Sequence, residues 1–302
     1  MPFSKALRAA VLLSLTLLTP VSPGALASSS QVLDRIRDTG IVRLAHRESA
    51  IPFSYYDFDK QPVGYAVDLC QRVVEKLRTA LKRPDLKVRY LSVTPSTRIA
   101  AIEQGQADLE CGSTTNTRER REKVAFTIPH YIAGIRMITK TSSGIRRWDD
   151  LRGKVLVTTQ GTTSVSELRK LNDSRVLNMK IIEAKDHAEA FSMVEVGKAD
   201  AFAMDDVLLY GFRANAKTPA DYVVVGDMLT VEPYAIMLSK DDVEFKRLVD
   251  RAMANLILDY DAEQLYKKWF QQPIAPNGVK LDIPMNFLLR DSFKYPSDKV
   301  AN

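Results

Sequence analysis

The residues best suited to chemistry lie in Glu110-Cys111-Gly112-Ser113-Thr114-Thr115-Asn116-Thr117-Arg118-Glu119-Arg120. A strand-like run, Ala107-Asp108-Leu109, leads into small and hydroxylic residues at 112 to 115, and a helical segment is expected from Thr117 to Lys123. Backbone N–H groups and hydroxyls at such a junction attract anions. Arg120 lies about one helical turn beyond Thr117, so its guanidinium fork can fold back over the same point. A fork with converging hydroxyls suits a carboxylate better than a bare cation. By itself the stretch equally fits a solvated turn bearing a charge run, and the remainder of the chain has to decide. Two further arginines sit at comparable places: Arg47 follows a strand at Ile41–Ala45, and Arg98 opens a helix behind a strand at Lys87–Val93. Three polar strand ends on parallel strands would converge on one cleft.

The elements that must position these groups alternate. A short helix at Val32–Asp38 precedes the first strand, an amphipathic helix from Ala66 to about Leu81 places Leu69, Val73 and Leu77 on one face, and Gly105 closes the helix that Arg98 opens. Arg136-Met137-Ile138-Thr139 reads as an extended apolar crossing, after which the rhythm restarts. Strand Val155–Thr159 runs into Gln160-Gly161-Thr162-Thr163-Ser164 and a helix, with Ser164 and Glu167 at capping-box spacing. Strands at Met179–Glu183, Ala199–Met204 and Tyr222–Val225 follow, then a second crossing at Val231–Leu238, two C-terminal helices and a Pro/Asn-rich tail. Alternating strands and helices predict an α/β fold whose ligands lie beyond the carboxyl ends of the strands.

Met1–Ala27 has a basic start (Lys5, Arg8), an apolar centre and Ala25-Leu26-Ala27, the features of a cleaved secretory signal peptide. The apolar run is shorter than the roughly 20 residues that span a bilayer. A soluble, exported chain is therefore expected. The formal net charge is only +6, and basic residues such as Arg118, Arg120, Arg121 and Lys123 are interleaved with acids. That is unlike the clustered basic face of a nucleic-acid binder. The three histidines, His46, His130 and His187, are scattered and lie away from Cys70 and Cys111, so no zinc site is expected. In an oxidising compartment the two cysteines either pair or remain as buried thiols. The phosphate-loop pattern is absent, since Gly153-Lys154 is followed by Val155.

Two α/β units joined by two extended crossings describe a cleft with a hinge. Arg47-Glu48, Pro52 through Asp57, Val63-Gly64-Tyr65, Glu110 through Asn116 with Glu119-Arg120, Gly161 through Ser164, Ala184 through His187, Met204-Asp205-Asp206 and Lys268-Trp269-Phe270 together resemble the periplasmic glutamate/aspartate-binding proteins of ABC amino-acid importers (solute-binding protein family 3). The resemblance implies a two-lobed type II periplasmic-binding-protein fold. Its first lobe would comprise 28–134 and 234–302, its second 135–233, and 1–27 would be the leader. It further implies that Arg120, with Thr115 and the Thr162-Thr163 helix start, takes a ligand α-carboxylate. Asp205 with Ser113 would take the α-ammonium, and Arg47, Arg98 and His187 would surround the distal carboxylate. No cofactor or metal is implied; a membrane permease and an ATPase are the implied partners of a periplasmic monomer. Pro95 departs from the family, where a serine often follows Thr94; it lacks both hydroxyl and N–H, leaving Ser96 or Thr97 as substitutes. The competing expectations are a dehydratase-like enzyme on the same fold and a binding protein for a polar amide amino acid.

Overall fold

The computed structural model describes residues 30–299; the expected signal peptide lies outside them. Two five-stranded sheets form the scaffold. In the first, strands Lys87–Ser92, Ile41–His46 and Leu109–Cys111 run parallel side by side. Antiparallel Met237–Leu238 and Ala125–Phe126 complete it. His46 pairs with both Ser92 and Cys111, so three chains leave the sheet at one edge and carry Arg47, the loop to Arg98, and Ser113 out together. The second sheet repeats the plan, with parallel Lys180–Ala184, Val155–Thr159 and Ala201–Asp205. Ile135–Lys140 and Tyr222–Val225 add its antiparallel side.

Antiparallel Tyr131–Ala133 and Glu232–Tyr234 form a separate two-stranded ribbon between the sheets. The first crossing is therefore Tyr131–Ala133. Arg136–Thr139, expected to cross, is instead part of the second sheet, because its apolar residues Met137 and Ile138 are buried there.

Other boundaries move for local reasons. The strand expected at Ala107–Leu109 runs from Leu109 to Cys111 because the Asp108 carboxylate binds the Arg43 backbone N–H and pairs with Arg35 and Arg43. The helix expected at Thr117–Lys123 is a single turn, Arg118–Arg121. The tail contains a helix, Phe287–Lys294, that its proline and asparagine content concealed; Asn286 caps it by accepting from the Leu289 N–H.

Helix Tyr65–Ala80 buries Leu69, Cys70, Val73 and Leu77 on one face, each apolar side chain contributing roughly 1.5–3 kcal/mol. Helices Val243–Leu258 and Asp261–Gln271 pack against it. Cys70 is joined to Cys111 by a disulfide, which ties this helix to the strand that delivers Gly112 and Ser113. Of the two states open to the cysteines, the structure has the bridge. An aromatic cluster under the ribbon unites Phe53 with Tyr131, Tyr234 and Phe270, at ring-centroid distances of 5.0, 5.1 and 5.5 Å. Edge-on and offset contacts of this kind add to simple area burial.

Candidate ligand-binding site

Six charged side chains are buried where the two units meet: Arg47, Arg98, Arg120, Glu110, Asp205 and Glu232. Charged groups are seldom fully buried without close partners, yet none of the three arginines has an ion pair within 4 Å among the described residues. The arginines come from the strand ends of the first unit. Arg47 follows its strand directly, and its backbone N–H donates to Ser54 Oγ at 2.9 Å. Arg98 opens helix Arg98–Glu103, and its Nη1 donates to the Ser113 carbonyl at 3.4 Å. Arg120 donates through Nη1 to the Thr115 carbonyl at 2.9 Å and through Nη2 to the Gly161 carbonyl of the second unit at 3.3 Å.

Burial, with mutual repulsion behind it, lowers the arginines' affinity for their protons: Arg47 falls to about 9 and Arg120 to about 10, Arg98 adding to the shift in both. Buried polar atoms at this junction lack partners, namely Arg47 Nη1, Arg98 Nε, Ser113 Oγ, Glu110 Oε1 and Asp205 Oδ1. Leaving such an atom unsatisfied costs about 1–3 kcal/mol, more when it is charged. The junction is therefore built to receive a polar molecule with both anionic and cationic groups.

From the second unit, Asp205 ends its strand and accepts a short hydrogen bond from the Tyr234 hydroxyl through Oδ2. Burial, reinforced by Glu232, pushes its carboxyl well above the usual range. Neighbouring Asp206 is spoken for: its Oδ1 accepts from the Val207 N–H at 2.8 Å and faces the Gly134 N–H. His187 is the first residue of helix His187–Glu195 and shares a 2.8 Å hydrogen bond, through Nδ1, with Thr159 Oγ1. Burial and the facing Arg47 and Arg98 hold it well below its ordinary value. It faces Arg47 and Arg98 as a neutral imidazole.

Part of the polar surface around the turn at Gly112–Thr115 is already engaged. Thr117 caps its short helix by accepting from the Arg120 N–H, the Asn116 N–H donates to the Pro233 carbonyl, and the Thr114 hydroxyl donates to Glu110. Left open in the stretch are the Arg120 fork, the Ser113 hydroxyl and Thr115. The Thr162 and Thr163 hydroxyls are also committed, to the Thr159 carbonyl at 2.6 Å and Glu232 Oε2 at 3.0 Å. No side chain caps helix Thr163–Ser174, so its first-turn N–H groups are this helix start's contribution. The Ser164–Glu167 capping box is not formed; Glu167 pairs with Lys170.

Pro95 is buried while Ser96 and Thr97 are exposed, and the Thr97 hydroxyl binds the Thr94 N–H at 3.0 Å. The Thr97 hydroxyl is thereby committed within its own turn. Pro95 instead meets the second unit: a Cβ at Gly161, whose φ is +73°, would lie 2.7–2.8 Å from Ser96 Cα and the Pro95 carbonyl. Only glycine fits so close an approach at positive φ.

Glu232 and Tyr234 join the expected residues at the junction, and Glu110 enters it through its buried carboxylate. A lone acid in the apolar crossing Val231–Leu238 is the signal that points to Glu232.

Paired α/β units facing across a charged junction, joined by a two-stranded ribbon, define a two-lobed solute-binding protein. The pattern of the bacterial extracellular solute-binding proteins, family 3, matches residues 42–272, and the chain belongs to that family. It is 44% identical, over 89% of each chain, to the L-glutamate/L-aspartate-binding protein of Pseudomonas aeruginosa. Identity to the glutamate/aspartate import solute-binding protein of Escherichia coli is 40%, over 91% of each. Among solved structures, an ancestral arginine-binding protein bound to glutamine superposes with a TM-score of 0.67 at 27% identity, covering 76% of this chain and 98% of that one. The solute receptor for L-cysteine of Neisseria gonorrhoeae reaches 0.71 at 23% identity, over 79% and 93%, a likeness of fold.

Proposed function

We propose that this protein captures L-glutamate or L-aspartate in the periplasm, after cleavage of residues 1–27, and delivers it to the permease and ATPase of an ABC importer. The carrying observation is the buried junction itself, where Arg47, Arg98 and Arg120 lie without ion pairs beside unpartnered Ser113 Oγ and Asp205 Oδ1, a set that suits a small molecule bearing both anionic and cationic groups. Arg120 and the uncapped start of helix Thr163–Ser174 receive the α-carboxylate, with the Thr115 region closing one side. Asp205 Oδ1 and Ser113 Oγ receive the α-ammonium. Arg47 and Arg98, with neutral His187 beside them, receive the distal carboxylate. Titration calorimetry with glutamate, aspartate, glutamine and arginine tests the reading, which falls if arginine binds best.

The lobes of this reading are 28–134 with 234–302, and 135–233, hinged at the ribbon Tyr131–Ala133/Glu232–Tyr234. Hinge closure around ligand predicts a smaller radius of gyration by X-ray scattering once glutamate saturates the protein. An unchanged profile would count against the hinge.

Asp205 adds a prediction in pH. Its raised pKa keeps it protonated in the free protein above the ordinary carboxylate range, whereas a bound ammonium favours the ionised form. Binding therefore expels a proton, and affinity climbs with pH until Asp205 ionises unaided. Calorimetry over a series of pH values, in buffers of different ionisation enthalpy, should read proton release that fades as pH rises for the wild type and none at any pH for Asp205→Asn.

A further inference from the structure

Glu110 is wholly buried at the end of strand Leu109–Cys111 and is left without a role by the ligand contacts above. Its Oε2 accepts from the Thr114 hydroxyl at 2.8 Å, and its Oε1 has no partner. The next residue but one is glycine for a reason that involves Arg47: a Cβ at Gly112 would lie 2.4 Å from Glu110 Oε1 and 3.2 Å from Arg47 Cγ. Gly112 thus opens the slot in which the carboxylate and the Arg47 side chain lie side by side. The other groups that face Arg47 are Arg98, Asp186 and Tyr234, with His187 beyond. Asp186 is half-buried and already caps helix His187–Glu195 by accepting from the Glu189 N–H. Tyr234 and His187 are held neutral by burial, and Asp205 is turned toward Tyr234.

We propose that Glu110 is a specificity-determining residue: a buried counter-charge, acting through Arg47, that sets the distal pocket to accept a singly charged anionic side chain and refuse a doubly charged one. The count at that end is simple. Among the buried charges Arg47 and Arg98 bring two positive and Glu110 one negative, while half-buried Asp186 is screened by solvent and by the helix N–H it caps, so one carboxylate closes the buried balance. A dianionic group would leave an uncompensated buried charge, which is strongly disfavoured, and such misplaced charge is how binding sites reject wrong ligands.

This inference rests on the distal-pocket reading above and is tested separately from it. O-sulfo-L-serine and O-phospho-L-serine share a shape, but at pH 8 the first carries one side-chain charge and the second about two, because the phosphate's second pKa is about 6. In calorimetry at pH 8 the wild type should bind the sulfo ester at least about tenfold more tightly than the phospho ester. Glu110→Gln, whose amide oxygen still accepts from Thr114, should narrow that gap by about tenfold and raise the glutamate-to-glutamine affinity ratio by a similar factor. A merely structural role would weaken every ligand by one common factor. Equal binding of the two esters by the wild type overturns the proposal, and needs no variant. If neither ester enters the pocket, the glutamate-to-glutamine ratio decides, and a ratio unchanged in Glu110→Gln overturns it. A wild type that binds neither glutamate nor aspartate sinks the functional reading, whereas binding with flat ratios sinks the role of Glu110 alone.

Discussion

Arg98→Met weakens glutamate by roughly ten- to hundred-fold and leaves glutamine nearly unchanged, whereas Arg120→Met weakens both. The expected size follows from a charge-assisted hydrogen bond worth about 1.5–3 kcal/mol, at tenfold per 1.4 kcal/mol. Arg98 has its Nε unpartnered and only the Ser113 carbonyl, at 3.4 Å, as a hydrogen-bond acceptor, so the distal carboxylate is its principal partner in the proposed complex. Methionine keeps most of the buried apolar stem. Removing the guanidinium also relieves repulsion on Arg47 and Arg120, both of which Arg98 destabilises as cations, and this relief holds the loss toward the lower end of the range. Arg120 differs because every α-amino acid carries the carboxylate it faces, and because it also bonds across the lobes to Gly161. Calorimetry of the wild type and both variants with glutamate, aspartate and glutamine separates the roles. Equal losses for glutamate and glutamine in Arg98→Met would show the distal pocket to be misplaced.

The second large effect is on stability. Cys70 and Cys111 are 41 residues apart in sequence, and on a chain-entropy account a loop of that size gives the disulfide about 4 kcal/mol. Replacing both cysteines by alanine should lower the melting temperature by about 8–16 °C, at some 2–4 °C per kcal/mol for a chain approaching this size. Thermal unfolding followed by circular dichroism, with the wild type oxidised and reduced alongside, measures it. A double variant melting within 2 °C of the oxidised wild type would show that the bridge constrains little. Glutamate affinity at 25 °C should change far less, because the sheet edge that presents Ser113 is also held by its pairing with Ile41–His46.

The alternation of strands and helices was legible because amphipathic period and turn residues are local signals. Helix Tyr65–Ala80 lies within one residue of its expected start and end. The arginines were legible for a related reason: in a parallel sheet, a polar residue just past an apolar strand emerges at the ligand edge, as Arg47 does. What escaped was set by distant partners. Asp108 reads as a strand residue until Arg35 and Arg43 claim its carboxylate. Thr162 and Thr163 read as free hydroxyls until the Thr159 carbonyl and Glu232 take them. Glu110 reads as an alternating strand position, and its burial beside Arg47, 63 residues earlier, depends on neither side chain having one to avoid at Gly112. The neutral state of His187 is likewise a property of three segments meeting, since burial between them disfavours its charge and Arg47 and Arg98 add their repulsion.

The bond from Arg120 to the Gly161 carbonyl joins the two lobes with the same guanidinium that faces the ligand, while Gly161 rests against Pro95 and Ser96 with no room for a side chain. In the proposed complex Arg120 would be at once the ligand's anchor and a clasp between the two units. Escape of the amino acid would then require the clasp to open first, and the residence time of the cargo would follow the protein's own opening rate. A transporter that pries the lobes apart would act on that step directly, releasing tightly held cargo without having to compete for it.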